Sequence, residues 1–215
     1  MDQAVDQANV AASERRALSD LMDQVGPDAP TLCAGWTTRD LAAHLVVRDG
    51  RPDAAVGILL PPLAGYTARV QRETAQRPWP ELVEQVRSGP PLWSPMRLSR
   101  LGDKINAVEF FVHHEDVRRA RPGWEPRPAN PHRATELWST LSRLGRLCYR
   151  KSPVGVVLRR PDGSEHIARR GARTVTVVGV PEELVLHAYG RAEAVVDVEG
   201  DQRDVASLEA SPRGF

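Results

Sequence analysis

The chain has 215 residues, of which 41% are hydrophobic and 27% charged, and its formal net charge is +1. This composition is typical of a globular protein that forms one large domain or two small ones. A nearly neutral chain has no overall field that favours nucleic acid or an anionic membrane, so we expect neither as a partner. The first residues lack the pattern of a signal peptide, and no apolar run is long enough to span a membrane.

The two cysteines, Cys33 and Cys148, lie far apart in the sequence. Two lone cysteines without a secretory leader are typical of reduced thiols, and we therefore expect a cytoplasmic protein. Cys148 lies among leucines and is expected in the core. For Cys33 two interpretations are open, a reactive thiol near a helix start or a small buried residue. The second is favoured, because Cys33 lies too far before the expected helix cap for a strong dipole effect.

The first two-thirds of the chain has the periodicity of helices. The segment TTRDLAAHLVVRDG begins with Thr37, which can cap a helix, and Asp40 stands three residues later, as in a capping box. Leu41, His44 and Leu45 follow at i, i+3 and i+4, so they share one face and His44 is expected to point inward. Further helices are predicted over residues 10–25, 62–76, 79–88, 102–120 and 132–150.

The period of the hydrophobic pattern changes after residue 150. Two apolar segments flank PDGS, a turn sequence typical of a hairpin, and TVTVVGV resembles a buried strand. A short helix is predicted from Pro181, followed by a strand and a closing helix. The sequence therefore predicts an α+β protein, with a helical domain over residues 1–150, a linker-like stretch at 121–131 within it, and a small α+β domain over 151–215.

The segment NAVEFFVHHEDVRR places several potential metal ligands on one helix. Glu109 and His113 are four residues apart and lie one turn from each other on one face, and Asp116 lies on nearly the same stripe. A histidine and a carboxylate at this spacing can supply two ligands to a divalent ion, with a third from elsewhere. His44 is the best candidate for the third ligand.

Simpler interpretations remain open at this level. A Glu–His pair at this spacing is common on exposed helices as a weak ion pair, and a lone histidine on an apolar face is usually a core residue. The sequence has no HExxH and no CxxC, so the common zinc signatures are missing. His114 lies about 100° around the helix from His113, and we expect it and Glu115 to be exposed or to lie behind the ligands.

Two segments carry a resemblance to a known family. GWTTRDLAAHLVVRD, with Trp36, Thr37, Asp40 and His44, resembles the second helix of the DinB-like bundles found in mycothiol-dependent maleylpyruvate isomerase and its relatives. The second signature of the family, Glu-x-x-x-His followed shortly by Asp, matches EFFVHHED at residues 109–116. The C-terminal domain is similar to the α+β domain of many members, and the layout resembles an actinobacterial subgroup described as metal-binding proteins.

The resemblance implies a DinB-like four-helix bundle and a divalent metal, usually zinc, held by His44, Glu109 and His113. Three protein ligands leave an open position for water or substrate. In thiol-transferring relatives the metal binds the sulfur of a low-molecular-weight thiol, so mycothiol is the implied cosubstrate and an electrophile its reaction partner. Asp116 would lie behind the ligands and orient His113 or hold water.

Two functional hypotheses follow. The first is a metal-dependent enzyme, a thiol transferase or an isomerase of the mycothiol type, in which the ion activates the thiol. The second is a metal-binding protein without turnover, serving storage, sensing or fold stability; it stays open because no general base stands out beyond the ligands. The arginines at 159, 160, 169 and 170 are expected to be solvated, with an anion site as the alternative, and Arg191 either caps the preceding helix or reaches the cleft.

Overall fold

The computed structural model describes residues 9–59, 61–91 and 100–214. They form two compact units, one up to residue 127 and one from residue 128. Among the described residues, no helix is both long and apolar enough to cross a membrane. The first unit consists of helices α1 Val10–Val25, α2 Thr38–Gly50, α3 Pro52–Leu59, α4 Ala64–Ala75, α5 Trp79–Ser88 and α6 Arg100–Arg119, with a 3₁₀ turn at Pro61–Leu63 between α3 and α4.

Four of these helices enclose one hydrophobic core. Leu18 of α1, Leu41 of α2, Leu82 of α5 and Phe110 of α6 are all fully buried in the same cluster. Each such side chain contributes about 1.5–3 kcal/mol when it leaves water. Helix α6 packs along α1, and α5 packs on both α1 and α2. The predicted helical bundle is confirmed.

The start of α2 follows the sequence closely. Thr37 has extended backbone angles and its side chain accepts from the Asp40 amide, while the Asp40 carboxylate accepts from the Thr37 amide at 2.9 Å. This is the predicted capping box, and it satisfies donors that a helix start otherwise leaves unpaired. Downstream, Leu41, His44 and Leu45 are all buried, so His44 points inward as expected.

The second unit combines three helices with a four-stranded sheet of order β2-β1-β3-β4. β1 and β2 form the antiparallel hairpin predicted at PDGS, β3 runs parallel to β1, and β4 pairs antiparallel with β3. Helix α7 packs against α8 and β2. The elements are α7 Pro131–Cys148, β1 Gly155–Arg159, β2 Glu165–Arg169, β3 Thr174–Val178, α8 Pro181–Ala188, β4 Asp197–Glu199 and α9 Gln202–Glu209.

The strands and helices expected after residue 150 are therefore present, and the α+β class is confirmed. One detail differs: β3 is not buried on both faces. Val175 and Val177 are fully buried, whereas Thr174 is exposed and Thr176 half-buried. The strand thus alternates as a sheet with one solvated face does. The dense β-branched pattern did not distinguish this from complete burial, because threonine suits either face.

The boundary between the two compact units falls within the linker-like stretch at 121–131, and α7 belongs to the second unit. The sequence pattern placed this helix in the helical domain, because its leucine stripe resembles those of the preceding helices. In the structure only part of this stripe is buried: Leu137 and Leu141 lie in the core, Leu144 is half-buried and Leu147 is exposed. Gly145 lets the helix approach Ala168 of β2 closely. A folding boundary at residue 150 stays a prediction.

Tyr149 and His187 form a buried hydrogen bond in the second unit. Their side-chain atoms Oη and Nδ1 are 2.7 Å apart, and both residues are almost inaccessible. Burial, with the nearby charge of Arg213, lowers the pKa of His187 to about 3. The imidazole is therefore neutral in the folded state and accepts from the tyrosine hydroxyl.

This histidine should make stability depend on pH. His187 has a pKa of 6.5 in the unfolded chain and about 3 in the folded chain, so between these pH values only the unfolded chain binds the proton. The free energy of unfolding should therefore fall as pH drops through this range. At pH 4.5 the loss is about 2.5 kcal/mol. His187→Gln keeps an acceptor for Tyr149 but cannot be protonated. It should remove this part of the pH dependence of the free energy of unfolding, measured by urea unfolding from pH 7 to pH 4.5. The exposed His132→Gln variant is the control, and an unchanged slope in His187→Gln would refute the assignment.

The capping box gives a second prediction. Thr37→Ala removes the hydroxyl and should lower the free energy of unfolding of the first unit by about 1 kcal/mol, whereas Thr37→Ser should be nearly neutral. Urea unfolding followed by circular dichroism at 222 nm measures both variants. Equal losses in the two variants would show that the methyl group, and not the cap, is responsible.

Candidate metal centre

Helices α2 and α6 bring three potential ligands together. The Nε2 atom of His44 lies 3.4 Å from Oε1 of Glu109, and Nε2 of His113 lies 3.2 Å from the same oxygen. One ligand atom from each of the three residues falls within 4.8 Å of the others. The spacing of four residues on α6 and the inward face of α2 therefore produce the juxtaposition that the sequence predicts.

Asp116 lies one turn after His113 and contacts the other side of its ring. The Oδ2 atom is 2.9 Å from Nδ1 of His113, and Asp116 is completely buried. A carboxylate in this position holds a proton on Nδ1, so Nε2, which faces Glu109 and His44, is the nitrogen that can give up its proton to a metal. A histidine that binds a metal is commonly held in this way by a carboxylate.

Arg48 is a neighbour of the site that the sequence analysis missed. Its Nε atom lies 3.5 Å from Oε1 of Glu109, while its other nitrogens donate to Asp49 at 2.6 Å and to Asn106 at 2.8 Å. Arg48 stands four residues after His44, and Asn106 three before Glu109. The same helical spacing that paired the ligands therefore pointed to these two residues as well.

The charges of the site follow from these contacts. Burial alone would raise the pKa of Glu109, but the Arg48 charge and the hydrogen bonds to His113 and His44 hold it well below its usual range. Burial lowers the pKa of His44 against the opposing effect of Glu109. Burial also acts to lower the pKa of His113, yet its hydrogen bonds to Asp116, Cys33 and Glu109 raise it well above the usual value. The site thus presents an ionised carboxylate, a neutral imidazole and an imidazole that carries an exchangeable proton.

The loop before α2 supplies two further neighbours. The ring of Trp36 lies against that of His44, with centroids 5.1 Å apart. The Sγ atom of Cys33 is 3.2 Å from Oδ2 of Asp116 and 3.9 Å from Nδ1 of His113, and the residue is half-buried. Periodicity gives no signal for a loop residue, so sequence reasoning had no means of placing Cys33 at this site.

We expected His114 and Glu115 to be exposed or to lie behind the proposed ligands. Both alternatives are wrong for both residues. His114 is buried with Nδ1 3.0 Å from the Glu14 carboxylate, and Glu115 is buried between Arg119 and Arg127 at 2.6 Å from each. These partners come from α1, from one turn further along α6 and from residue 127. Long-range partners allow polar groups to be buried on the side of α6 away from the ligands.

The arginines of the C-terminal part have local roles within the second unit. Arg159 pairs with Glu165 and Glu199, and Arg160 pairs with Asp162. Arg191 donates from Nη1 to the Tyr189 carbonyl at 2.7 Å, as a group that caps the end of α8 does. Of the two interpretations of Arg191, this contact supports capping.

The donor set fits a divalent ion. Ligands at about 2.0–2.2 Å from a tetrahedral ion lie about 3.3–3.6 Å from one another. The two distances to Glu109 Oε1, 3.4 and 3.2 Å, are close to this range. Among the described residues, this group of potential ligands consists of His44, Glu109 and His113. The Glu109 side chain is 18% exposed, so this group of residues is not sealed from solvent.

Comparison with known proteins shows the fold. Two solved structures are similar: a mycothiol-dependent maleylpyruvate isomerase, with a TM-score of 0.61 and 15% identity, and a His-to-Ala mutant of that enzyme, with 0.60 and 14%. Each comparison covers 90% of this chain and 91% of the other. No protein-family model and no curated protein matches the chain. The predicted resemblance is thus confirmed for the fold.

A double-mutant cycle tests the link between Arg48 and Glu109. Arg48→Met leaves the carboxylate poorly compensated and should cost about 2–3 kcal/mol in metal-free protein, less than for a fully buried pair because Glu109 keeps some exposure. Glu109→Gln in the same background should recover part of this loss. Urea unfolding in the presence of EDTA gives the four free energies. Additive losses would show that the two side chains are not coupled.

Proposed function

We propose that His44, Glu109 and His113 hold one divalent ion, with zinc as the first choice. The convergence of the three side chains from α2 and α6 within 4.8 Å is the observation that carries this proposal. Two imidazoles and a carboxylate suit zinc and also other first-row ions. The proton on His113 is exchangeable for a cation, and the Glu109 carboxylate is already ionised.

When bound, the ion would lower the pKa of a coordinated thiol and so supply a thiolate at neutral pH. The surrounding residues then have separate tasks. Asp116 holds the proton of His113 on Nδ1, Arg48 fixes the Glu109 carboxylate through a charged contact, and Trp36 restrains the His44 ring. These contacts keep the ligands in place, which a catalytic site requires.

The reaction that we propose is transfer of a mycothiol-type thiol to an electrophile, or isomerisation through a thiol adduct. Its support is the shared fold with a mycothiol-dependent maleylpyruvate isomerase over 90% of the chain, together with a group of three potential ligands, one fewer than a closed tetrahedral site uses. The partners would be a small thiol and an electrophile in the cytoplasm. The fold alone does not carry function, so the proposal depends on the side chains of the site.

The second candidate is a metal-binding protein without turnover. The observation that favours it is the pairing of the nearby acids: Asp116 contacts His113 and Cys33, and Asp49 contacts Arg48. A general base for an incoming substrate would have to leave one of these contacts first. A storage or structural role needs no such base.

Metal content tests the site itself. We expect about one zinc per chain after loading and desalting, with a large loss of zinc affinity in His44→Ala and in Glu109→Ala. Asp116→Asn should weaken binding about 10–100-fold, because it changes the partner of His113 and not a ligand. Mass spectrometry for elements and competition with a chromogenic chelator measure these values, with His132→Ala as the control. Metal-free protein after loading with zinc or nickel would overturn both candidate functions.

Thiol chemistry separates the two candidates. The zinc-loaded protein should accelerate conjugation of mycothiol to monochlorobimane, and His44→Ala should reduce the rate to background. Repeating the assay with glutathione shows whether the protein recognises mycothiol specifically. Equal acceleration with both thiols would mean that the protein activates any small thiol. A zinc-loaded protein that gives no conjugate above background with any thiol would favour the binding protein.

A further inference from the structure

A second group of potential ligands lies beside the first and shares one residue with it. Cys33, Asp116 and His113 have one donor atom each within 4.8 Å of the others. Asp116 and His113 are buried, and Cys33 is half-buried and so accessible to ions from solvent. The two groups use opposite nitrogens of the His113 imidazole: Nε2 faces Glu109 and His44, and Nδ1 faces Cys33 and Asp116.

The loop that carries Cys33 is fixed against α6. The Leu32 amide donates to the Asp116 carbonyl at 3.1 Å, which ties the loop to the turn that bears the carboxylate. Within the loop, the Trp36 amide donates to the Cys33 carbonyl at 2.9 Å, and the Cys33 amide donates to the Thr31 hydroxyl at 3.2 Å. These contacts hold the backbone of Cys33 in place beside the turn of α6 that carries Asp116.

The three distances lie within about 0.5 Å of those between ligands of one tetrahedral ion. Sγ to Asp116 Oδ2 is 3.2 Å, Sγ to His113 Nδ1 is 3.9 Å and Nδ1 to Oδ2 is 2.9 Å. With a Zn–S distance of about 2.3 Å and Zn–N and Zn–O distances of about 2.0–2.2 Å, a tetrahedral ion separates its ligands by about 3.3–3.7 Å. Small side-chain movements satisfy all three.

We propose that Cys33, Asp116 and Nδ1 of His113 form a second position for a divalent cation, selective for thiophilic ions such as zinc or cadmium. A thiolate favours soft cations over those that carboxylates alone prefer. Binding releases the thiol proton of Cys33 and the Nδ1 proton of His113 to solvent, and the ring keeps a proton on Nε2 that it donates to the Glu109 oxygen at 3.2 Å. No oxidation or reduction is involved.

The two positions compete through this ring proton. A neutral imidazole has one lone pair in the ring plane, so it serves the Glu109 side or the Cys33 side but not both. The inference rests on the proposed function in one respect, that His113 is a ligand of the first position. The Cys33 position itself needs neither His44 nor a charged Glu109.

Cadmium titration of the full chain, stripped of metal, tests the proposal. Thiolate coordination gives an ultraviolet charge-transfer band, which we expect in the wild type and in Cys148→Ser but not in Cys33→Ser. The band should persist in His44→Ala, because that variant keeps all three ligands of the second position. Circular dichroism verifies that each variant is folded.

A second measurement does not depend on a cysteine substitution. Cadmium should protect Cys33 of the wild type from iodoacetamide at least tenfold, measured by peptide mass spectrometry, and His113→Ala should abolish the protection. A band that remains in Cys33→Ser, a band that is lost in His44→Ala, or alkylation that cadmium leaves unchanged would overturn the inference. A zinc affinity that His44→Ala leaves unchanged would instead contradict the first metal position, and it leaves the cadmium results to decide on the second.

Discussion

The Glu109 carboxylate is the group on which the arrangement of the site depends. It is an ionised acid placed between α2 and α6 next to a hydrophobic core, and a charge in that position needs partners. His44 and Arg48 supply them from consecutive turns of α2, and His113 supplies another from α6. Any shift of one helix along the other by a turn would remove at least one of these contacts. The carboxylate therefore fixes how the two helices are aligned, and the ligands converge as a consequence.

Arg48 would have two opposite effects on a cation in the proposed site. Its charge keeps Glu109 ionised and aligned, which helps a metal bind, but it also repels a second positive charge at close range. Asp49 accepts from Arg48 at 2.6 Å and is itself buried, so it offsets part of that repulsion. The burial of Asp49, an acid on α2 beside the core, is explained by this contact. Arg48 and Asp49 thus behave as a pair that holds the carboxylate without opposing the ion strongly.

The sequence predicted the parts of the site that follow from helix geometry. The cap at Thr37, the inward direction of His44 and the stripe of Glu109, His113 and Asp116 all come from periods of three and four residues. The α+β class followed from the change of period after residue 150. Arg48 obeyed the same rule and was overlooked because it resembles an ordinary solvated arginine near a helix end.

The rest depended on contacts between residues far apart in the chain. Cys33 reaches the site because the Leu32 amide binds the Asp116 carbonyl, more than eighty residues away. His114 and Glu115 can be buried because they pair with Glu14 and Arg127, respectively. No local sequence pattern predicts such long-range contacts. Loops lack periodicity, and the type of a polar side chain does not show whether a distant residue will pair with it.

The contact between Cys33 and Asp116 has consequences for both candidate functions. While the thiol donates to the carboxylate, Asp116 has less electron density to give to His113. If an ion is held by His113, that imidazole would then be a weaker ligand and the ion a stronger Lewis acid. If the thiol loses its proton to a cation, the same carboxylate and ring nitrogen become ligands on the other side. A site for thiol transfer requires the first state, because it needs an open position next to Glu109. A protein that holds metal without turnover gains from the second. On our proposal, the contact of Cys33 with Asp116 would therefore favour thiol transfer, and its replacement by a cation would favour a metal store.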